Sequence, residues 1–426
     1  MTEIRPIEAP QLHDTMYTAQ LENGLTLFYL PRENLSKTFA VFAANFGSVD
    51  SCFTVDGVRH HTTAGIAHFL EHKMFEEEDG NALQKFTRTG AQPNAFTSHT
   101  MTAYHFTCTD RFEENLNTLL RFVSTPYFTD ENVEKEKGII GQEIGMLDDT
   151  PGWQAYVGIL QGLYANHTVR VSIAGSVQSI SVIDPATLYL CHKAFYSPSN
   201  MVLTVCGTCD FEQVIRTAER ILPKESTRIA SREYGEETRF AAQDEMVREM
   251  AVSQPLFMAG WKDLPVGADE SMLHRRVAGE LAAQCLCGES SPLYARLYAA
   301  GLINRTLSAD YFLFPEGACM LIDGESRDPQ AVRAAIQEEI GRIAREGVEE
   351  TLFERVKRAT YGSIVRRSDD PSEAGRLQTE AFFSGGTLFD YARLCREMTS
   401  DEIVRLLGRY TDPRVSSIAV IRPQGK

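Results

Sequence analysis

The segment Ala67-His68-Phe69-Leu70-Glu71-His72 makes sense as a helix and as little else. At about 100° per residue, Ile66, Phe69, Leu70 and Met74 fall on one side, and His68, Glu71 and His72 cluster on the other. One side must be packed. The other brings two imidazoles and a carboxylate onto a single turn, the arrangement that grips a zinc ion and keeps a base beside it. A solvated polar face on an amphipathic helix would leave the same pattern, so the argument turns on whether the chain offers a third ligand.

Catalytic zinc takes three protein donors and keeps one position open. Glu143 is the candidate third donor. Thr129-Asp130-Glu131 reads as a helix start, with a capping side chain and acid in the first turn, and the helix should run to about Leu147. Its expected apolar stripe is Ile139, Ile140, Met146 and Leu147, and both Glu136 and Glu143 project within it. Inward carboxylates need a cation, which a metal held by two neutral His would supply, as would a buried Arg or Lys.

Together these residues resemble the inverzincins of the pitrilysin/insulinase superfamily, in the short-subunit branch that includes mitochondrial processing peptidases and bacterial processing-protease-like proteins. The likeness spans nearly the whole chain. In that family an HxxEH helix is joined by a Glu from an E-x6-E pattern on a later helix, and Glu136 and Glu143 stand at that spacing. The resemblance implies a zinc-dependent endopeptidase with Zn2+ on His68, His72 and Glu143, Glu71 as general base, and Glu136 as a carboxylate behind the ligands. It also implies an α+β fold of two similar halves, each an antiparallel sheet with helices packed on one face, forming a clam-like cleft. Gly90 to Ser98 looks like the family's substrate-binding edge strand, so Asn94, Ala95, Phe96 and Thr97 are expected to pair with an extended peptide.

The segments His68 to Phe75, Asn94 to Ser98 and Glu134 to Glu143 are most similar to zinc-bearing members of paired bacterial peptidase-like subunits. Active relatives carry an Arg and a Tyr seven residues apart in the second half. Aligned on Gly301-Leu302, and with one residue missing between them, Tyr298 and Asn304 stand in those places, and Arg296 is followed seven residues on by Ile303. The resemblance therefore implies a dimer with a paralogous subunit that supplies the missing pair. The alternative is a non-catalytic peptide-binding or scaffold subunit of the same fold.

A chain of 426 residues exceeds what one core usually serves, and its net charge of −16 argues against nucleic acid and anionic membrane as partners. Met1 to Pro6 lacks a cationic start leading into an apolar run, and no stretch approaches 18 uninterrupted apolar residues, so a cytoplasmic, unanchored protein is expected. The nine Cys are odd in number and scattered, which suits reduced thiols. Cys206-Gly207-Thr208-Cys209 is a CxxC string, yet Met201 to Val205 reads as a strand entering it, with the helix starting only near Asp210. Structural thiols are expected there.

An internal duplication is legible at an offset of 220, where Val133 to Ile144 lies over Phe353 to Ile364. Glu136 becomes Val356 and Glu143 becomes Ser363, so the metal site belongs to the first half. The expected units are 1–223, carrying the zinc site, and 247–426, its metal-free homologue, joined by a polar linker at 224–246. In the first half, strands are expected at Leu25 to Leu30, Phe39 to Asn45, Asn94 to Thr97, Ala103 to Cys108 and Met201 to Val205. Helices are expected near Thr63 to Phe75, Ala82 to Thr89, Phe112 to Val123, Asp130 to Leu147 and Phe211 to Ile221.

Overall fold

A computed structural model describes residues 2–78 and 80–425. Seven strands build the first sheet: β1 (Ile4–Ala9), β2 (Asp14–Gln20), β3 (Thr26–Pro31), β4 (Thr38–Ala44), β5 (Gln92–Thr97), β6 (Thr102–Cys108) and β7 (Met201–Gly207), in the order β1-β2-β3-β7-β4-β6-β5. Five build the second: β8 (Glu245–Met250), β9 (Leu256–Asp263), β10 (Ser308–Phe314), β11 (Gly317–Glu325) and β12 (Ser416–Pro423), in the order β8-β12-β9-β11-β10. Both are antiparallel apart from one parallel pair each, β3 with β7 and β8 with β12. The second order repeats the first from β3 onward, strand for strand in chain sequence. The halves are therefore two copies of one α+β plan.

The same repeat governs the helices. An offset of 220 carries α2 (Asp130–Asp148) onto α4 (Glu350–Ser368), and α3 (Pro151–Leu163) onto α5 (Pro371–Phe383), with proline at the first position of both α3 and α5. Proline there supplies a preset φ where no N–H is needed.

The halves exchange these two helices. α3, from the first half, packs on β9 and β12 of the second sheet, and α5, from the second half, packs on β4 and β7 of the first. Small residues allow the approach: a Cβ on Gly375 of α5 would meet the Phe39 ring at 2.6 Å, and one on Gly260 of β9 would meet Leu163 of α3 at 2.7 Å. Thr379 Oγ1 also lies 3.1 Å from Thr204 Oγ1 across the α5 contact. Because α5 covers one face of the first sheet and the first-half helices cover the other, β4 is buried at every position. Phe39, Val41 and Ala43 join the core on one side, Ala40, Phe42 and Ala44 the core on the other. A strand buried on both faces reads as a continuous apolar run, and Phe39 to Ala44 does.

The stretch between the sheets is not a free tether. Ser231–Arg232 pairs with Cys52–Val55, and the buried Tyr234 donates its hydroxyl to Asp50 at 3.1 Å. A cleft of about 1100 Å³ opens between the halves, lined from the first by Phe96, Ser98 and Met101 and from the second by Tyr311, Phe312 and Tyr391. No helix among the described residues is long and apolar enough to cross a membrane.

Candidate metal centre

The HxxEH turn lies in α1 (Ile66–Met74). It begins three residues later than its sequence pattern suggests because Gly65 adopts φ +89°, in a space where a Cβ would sit 2.6 Å from the Ala174 carbonyl oxygen. Phe69, Leu70 and Met74 enter the core between α1 and the first sheet, on the face opposite α5. His68 and Glu71 are each only 8% exposed. The far side of this helix is thus a recessed site rather than a solvated surface, reached from solvent past the His72 and Glu143 side chains, which are 25% and 40% exposed.

α2 packs against α1 and starts from Thr129, which forms a capping box with Asn132. Its packed stripe differs from the expected one. Ile139 and Met146 are 48% and 72% exposed, whereas Val133, Glu136, Ile140 and Ile144 are buried. The stripe is centred on Ile140, with Val133 and Ile144 in line, and Ile139 and Met146 stand about 100° or more away round the helix. Glu136 and Glu143 flank the corrected stripe, so both still face α1.

Glu143 straddles the two imidazoles: its Oε1 lies 3.5 Å from His68 Nε2 and its Oε2 lies 3.5 Å from His72 Nε2. Behind them His72 Nδ1 meets Glu136 Oε1 at 3.1 Å, while the buried Nδ1 of His68 has no partner among the described residues. Beside them Glu71 Oε2 accepts a hydrogen bond of 2.7 Å from Thr97 Oγ1 on β5. Thr97 is itself near Thr102 Oγ1, which donates to the Phe46 carbonyl.

The charges follow from these contacts. Burial pushes the Glu71 carboxyl above its ordinary range, against the Thr97 hydrogen bond and the nearby imidazoles. Burial alone would depress His72, but the Glu136 hydrogen bond and the surrounding carboxylates outweigh it and raise its pKa. Glu136 is lowered despite burial by His72 and Lys73, and Glu143 is lowered chiefly by the facing His68.

β5 is the sheet's edge, paired among the described residues only with β6. Ala95 packs toward the α1 side and Phe96 toward the opposite core, so the two faces of the strand meet different cores. The Ala95 N–H is taken by the Asn94 side chain at 2.8 Å, and Ser98 N–H returns to Met101 O at the hairpin. By the alternation of an antiparallel ladder, the N–H groups of Ala95 and Thr97 face the free edge and that of Phe96 faces β6.

The second-half candidates lie apart. Arg296 is tied to Glu339 at 2.8 Å, Asn304 to Glu325 at 2.8 Å, and Tyr298 stacks on Tyr294 at 48% exposure. His99 packs between Tyr156 and Phe312, and His105 against Phe39 and Arg376, as structural side chains. Burial raises Cys206 and Cys209 to about 12 each, which removes them from thiolate chemistry. Two residues escaped the sequence reading. Thr97 appeared only as a backbone partner, and Lys73 not at all, although it falls seven residues after Ile66 and so lies in the apolar stripe of α1.

His68, His72 and Glu143 form one group of donors whose atoms all lie within 4.8 Å of one another. Donors about 2.0–2.2 Å from a tetrahedral zinc stand about 3.4 Å apart, close to the Glu143 distances, and two imidazoles with one carboxylate is a catalytic zinc donor set. The residues present fit zinc.

Residues 57–175 match the family described as Insulinase (Peptidase family M16), and residues 183–360 that described as Peptidase M16 inactive domain. The chain is 37% identical over 410 residues to the uncharacterized zinc protease YmfH of Bacillus subtilis (strain 168), covering 95% of this chain and 96% of that one. It resembles the solved M16-like peptidase from Alicyclobacillus acidocaldarius with a TM-score of 0.90 and 32% identity, over 99% of each chain. A protease from Helicobacter pylori shares the fold at TM-score 0.82 and 17% identity, over 96% of this chain and 100% of that one.

Proposed function

The chain belongs to the insulinase family of peptidases, M16, and we propose that it is a zinc-dependent endopeptidase of peptides or unfolded segments, acting with a paralogous subunit. One observation carries this reading: the Glu143 carboxylate set between His68 Nε2 and His72 Nε2, with Glu71 held beside them. Bound there, zinc supplies a Lewis acid that polarises the scissile carbonyl and acidifies water. Glu71 is the proton carrier. Thr97 occupies Oε2, which leaves Oε1 to take the proton of the attacking water and return it to the leaving amine. Glu136 fixes the His72 ring through Nδ1. An extended peptide adds along the free edge of β5, over Asn94 to Thr97, through main-chain bonds that give affinity with modest sequence preference.

We take residues 1–223 and 247–426 as the two units, joined by 224–246, whose last two residues already pair in β8, and the cytoplasm as the compartment. Nine free thiols support a reducing environment. A second reading, a non-catalytic peptide-binding or scaffold subunit, is favoured by Tyr298 and Asn304 standing where active relatives carry Arg and Tyr. Zinc content per chain, and hydrolysis of an unstructured fluorogenic peptide with and without chelator, separate the two. Stoichiometric zinc with chelator-sensitive turnover, alone or with a paralogue, supports the endopeptidase; absence of zinc binding would overturn it.

A further inference from the structure

Lys73 is a buried charge for which the proposed chemistry has no direct use. Its side chain is 0% exposed, in the last turn of α1, in register with Ile66 and Leu70 on the packed face. Lysine is almost never fully buried unless paired, and a leucine or methionine would fill this place without the cost of stripping water from an ammonium. Its charge must therefore serve something.

What it touches identifies the role. Lys73 Nζ lies 3.5 Å from Glu136 Oε2 and 3.1 Å from Glu76 Oε1. Glu136 gives its other oxygen, Oε1, to His72 Nδ1 at 3.1 Å. A carboxylate gripped at both oxygens cannot turn, and its hold on Nδ1 directs the lone pair of the other ring nitrogen outward. That nitrogen, Nε2, is the atom facing Glu143. Glu76, just past the helix, ties the ammonium from its other side.

We propose that Lys73 is a positioning residue of the metal centre, acting through Glu136 to fix the orientation and tautomer of His72. The inference rests on the proposed zinc reading and extends it to a residue that touches neither metal nor substrate. Sequence alone could have raised it, as a charge within an apolar stripe, but not the partner that explains it.

The test is the zinc affinity of metal-stripped chain, read by competition with a chromophoric chelator, together with the thermal midpoint of the stripped protein. Lys73→Met should weaken zinc binding about 10- to 100-fold, the usual size of a loss behind a ligand. In a Glu136→Gln background the same change should cost nothing further, because its route to His72 is already broken. In stripped chain labelled with ¹⁵N-histidine, His72 should carry its proton on Nδ1, and Lys73→Met should lose that preference. If Lys73→Met does not fold, Glu76→Gln, which loosens the ammonium without opening a cavity, should lower affinity in the same direction. Affinity within twofold of the parent in a folded variant, or an equal loss in the Glu136→Gln background, would overturn the proposal. A parent chain that binds no zinc, or binds it unchanged in His72→Ala, would instead refute the zinc reading itself.

Discussion

Thr97 on the edge strand donates its hydroxyl to Glu71 on the HxxEH helix, at 2.7 Å. The strand proposed to receive peptide thus holds the proposed base, and in the proposed mechanism one β-strand would serve both binding and proton transfer. Thr97→Val keeps the shape and removes the donor. A hydrogen bond to a charged group is worth about 1.5–3 kcal/mol, so kcat should fall about 10- to 100-fold with little change in KM or bound zinc. Steady-state kinetics beside metal analysis reads this directly.

Ligands and base should separate in the same assay. His68→Ala, His72→Ala and Glu143→Gln each remove a donor and should lose most bound zinc. Glu71→Gln should keep the metal and lose about 100-fold or more in rate. Near-parental turnover in Glu71→Gln would sink the proton-transfer role.

Proline scanning should find the free edge. With the N–H groups of Ala95 and Thr97 outward, and a peptide carbonyl having to displace the Asn94 side chain from that of Ala95, Ala95→Pro should weaken peptide binding while zinc stays near stoichiometric. Phe96→Pro removes a bond to β6 and should cost stability instead, visible as a lower thermal midpoint. Equal effects of the two would mean that the peptide does not add to this strand.

Stability should fall on acidification below neutrality. Burial lowers His99 to about 3, and His105 and His192 to about 4, against an ordinary value of 6.5. The unfolded chain therefore binds protons that the folded chain refuses, so stability declines as pH drops from about 6.5 toward 4. Asp50, raised by burial to about 6, works the other way between about pH 4 and 6 and offsets part of the loss. Urea unfolding at pH 7.5, 6 and 4.5 checks the trend, and His192→Gln should flatten it.

The isolated chain should be slow, since losing a preorganised donor to the developing oxyanion costs about 100- to 1000-fold. A paralogue carrying an intact Arg and Tyr should restore turnover on mixing, and its Arg or this chain's Glu71 should be needed for the gain. Full activity of the chain alone, unchanged by the paralogue, would end the two-subunit reading.

Much of the centre was legible because helical periodicity is local. His68, Glu71 and His72 could be set on one turn from spacing alone, and Glu143 could be aimed inward even from a misdrawn stripe, since Ile140 anchors both versions. The stripe itself was misread because Ile139 and Met146 are apolar without being packed, and only α1 and the sheet decide which apolar side chains of α2 find a partner. Thr97 and Lys73 escaped for a related reason: their roles are contacts between elements far apart in sequence. The polar stretch near Tyr234 read as open chain because the partners of that ring, His167 stacked on its face and Asp50 at its hydroxyl, are far away in sequence.

The exchange of α3 and α5 has a consequence for synthesis. Phe28, Phe39 and Val41 on the first sheet share a core with Ala374, Leu377 and Ala381 of α5. A ribosome that has released the whole zinc-site half has not yet made the helix that seals it, and more than a hundred residues must follow before that face leaves water. Each copy of the repeat leaves one face of its sheet for a helix of the other to cover, so the duplication survives in the plan of the chain while the burial of each half is completed by its twin.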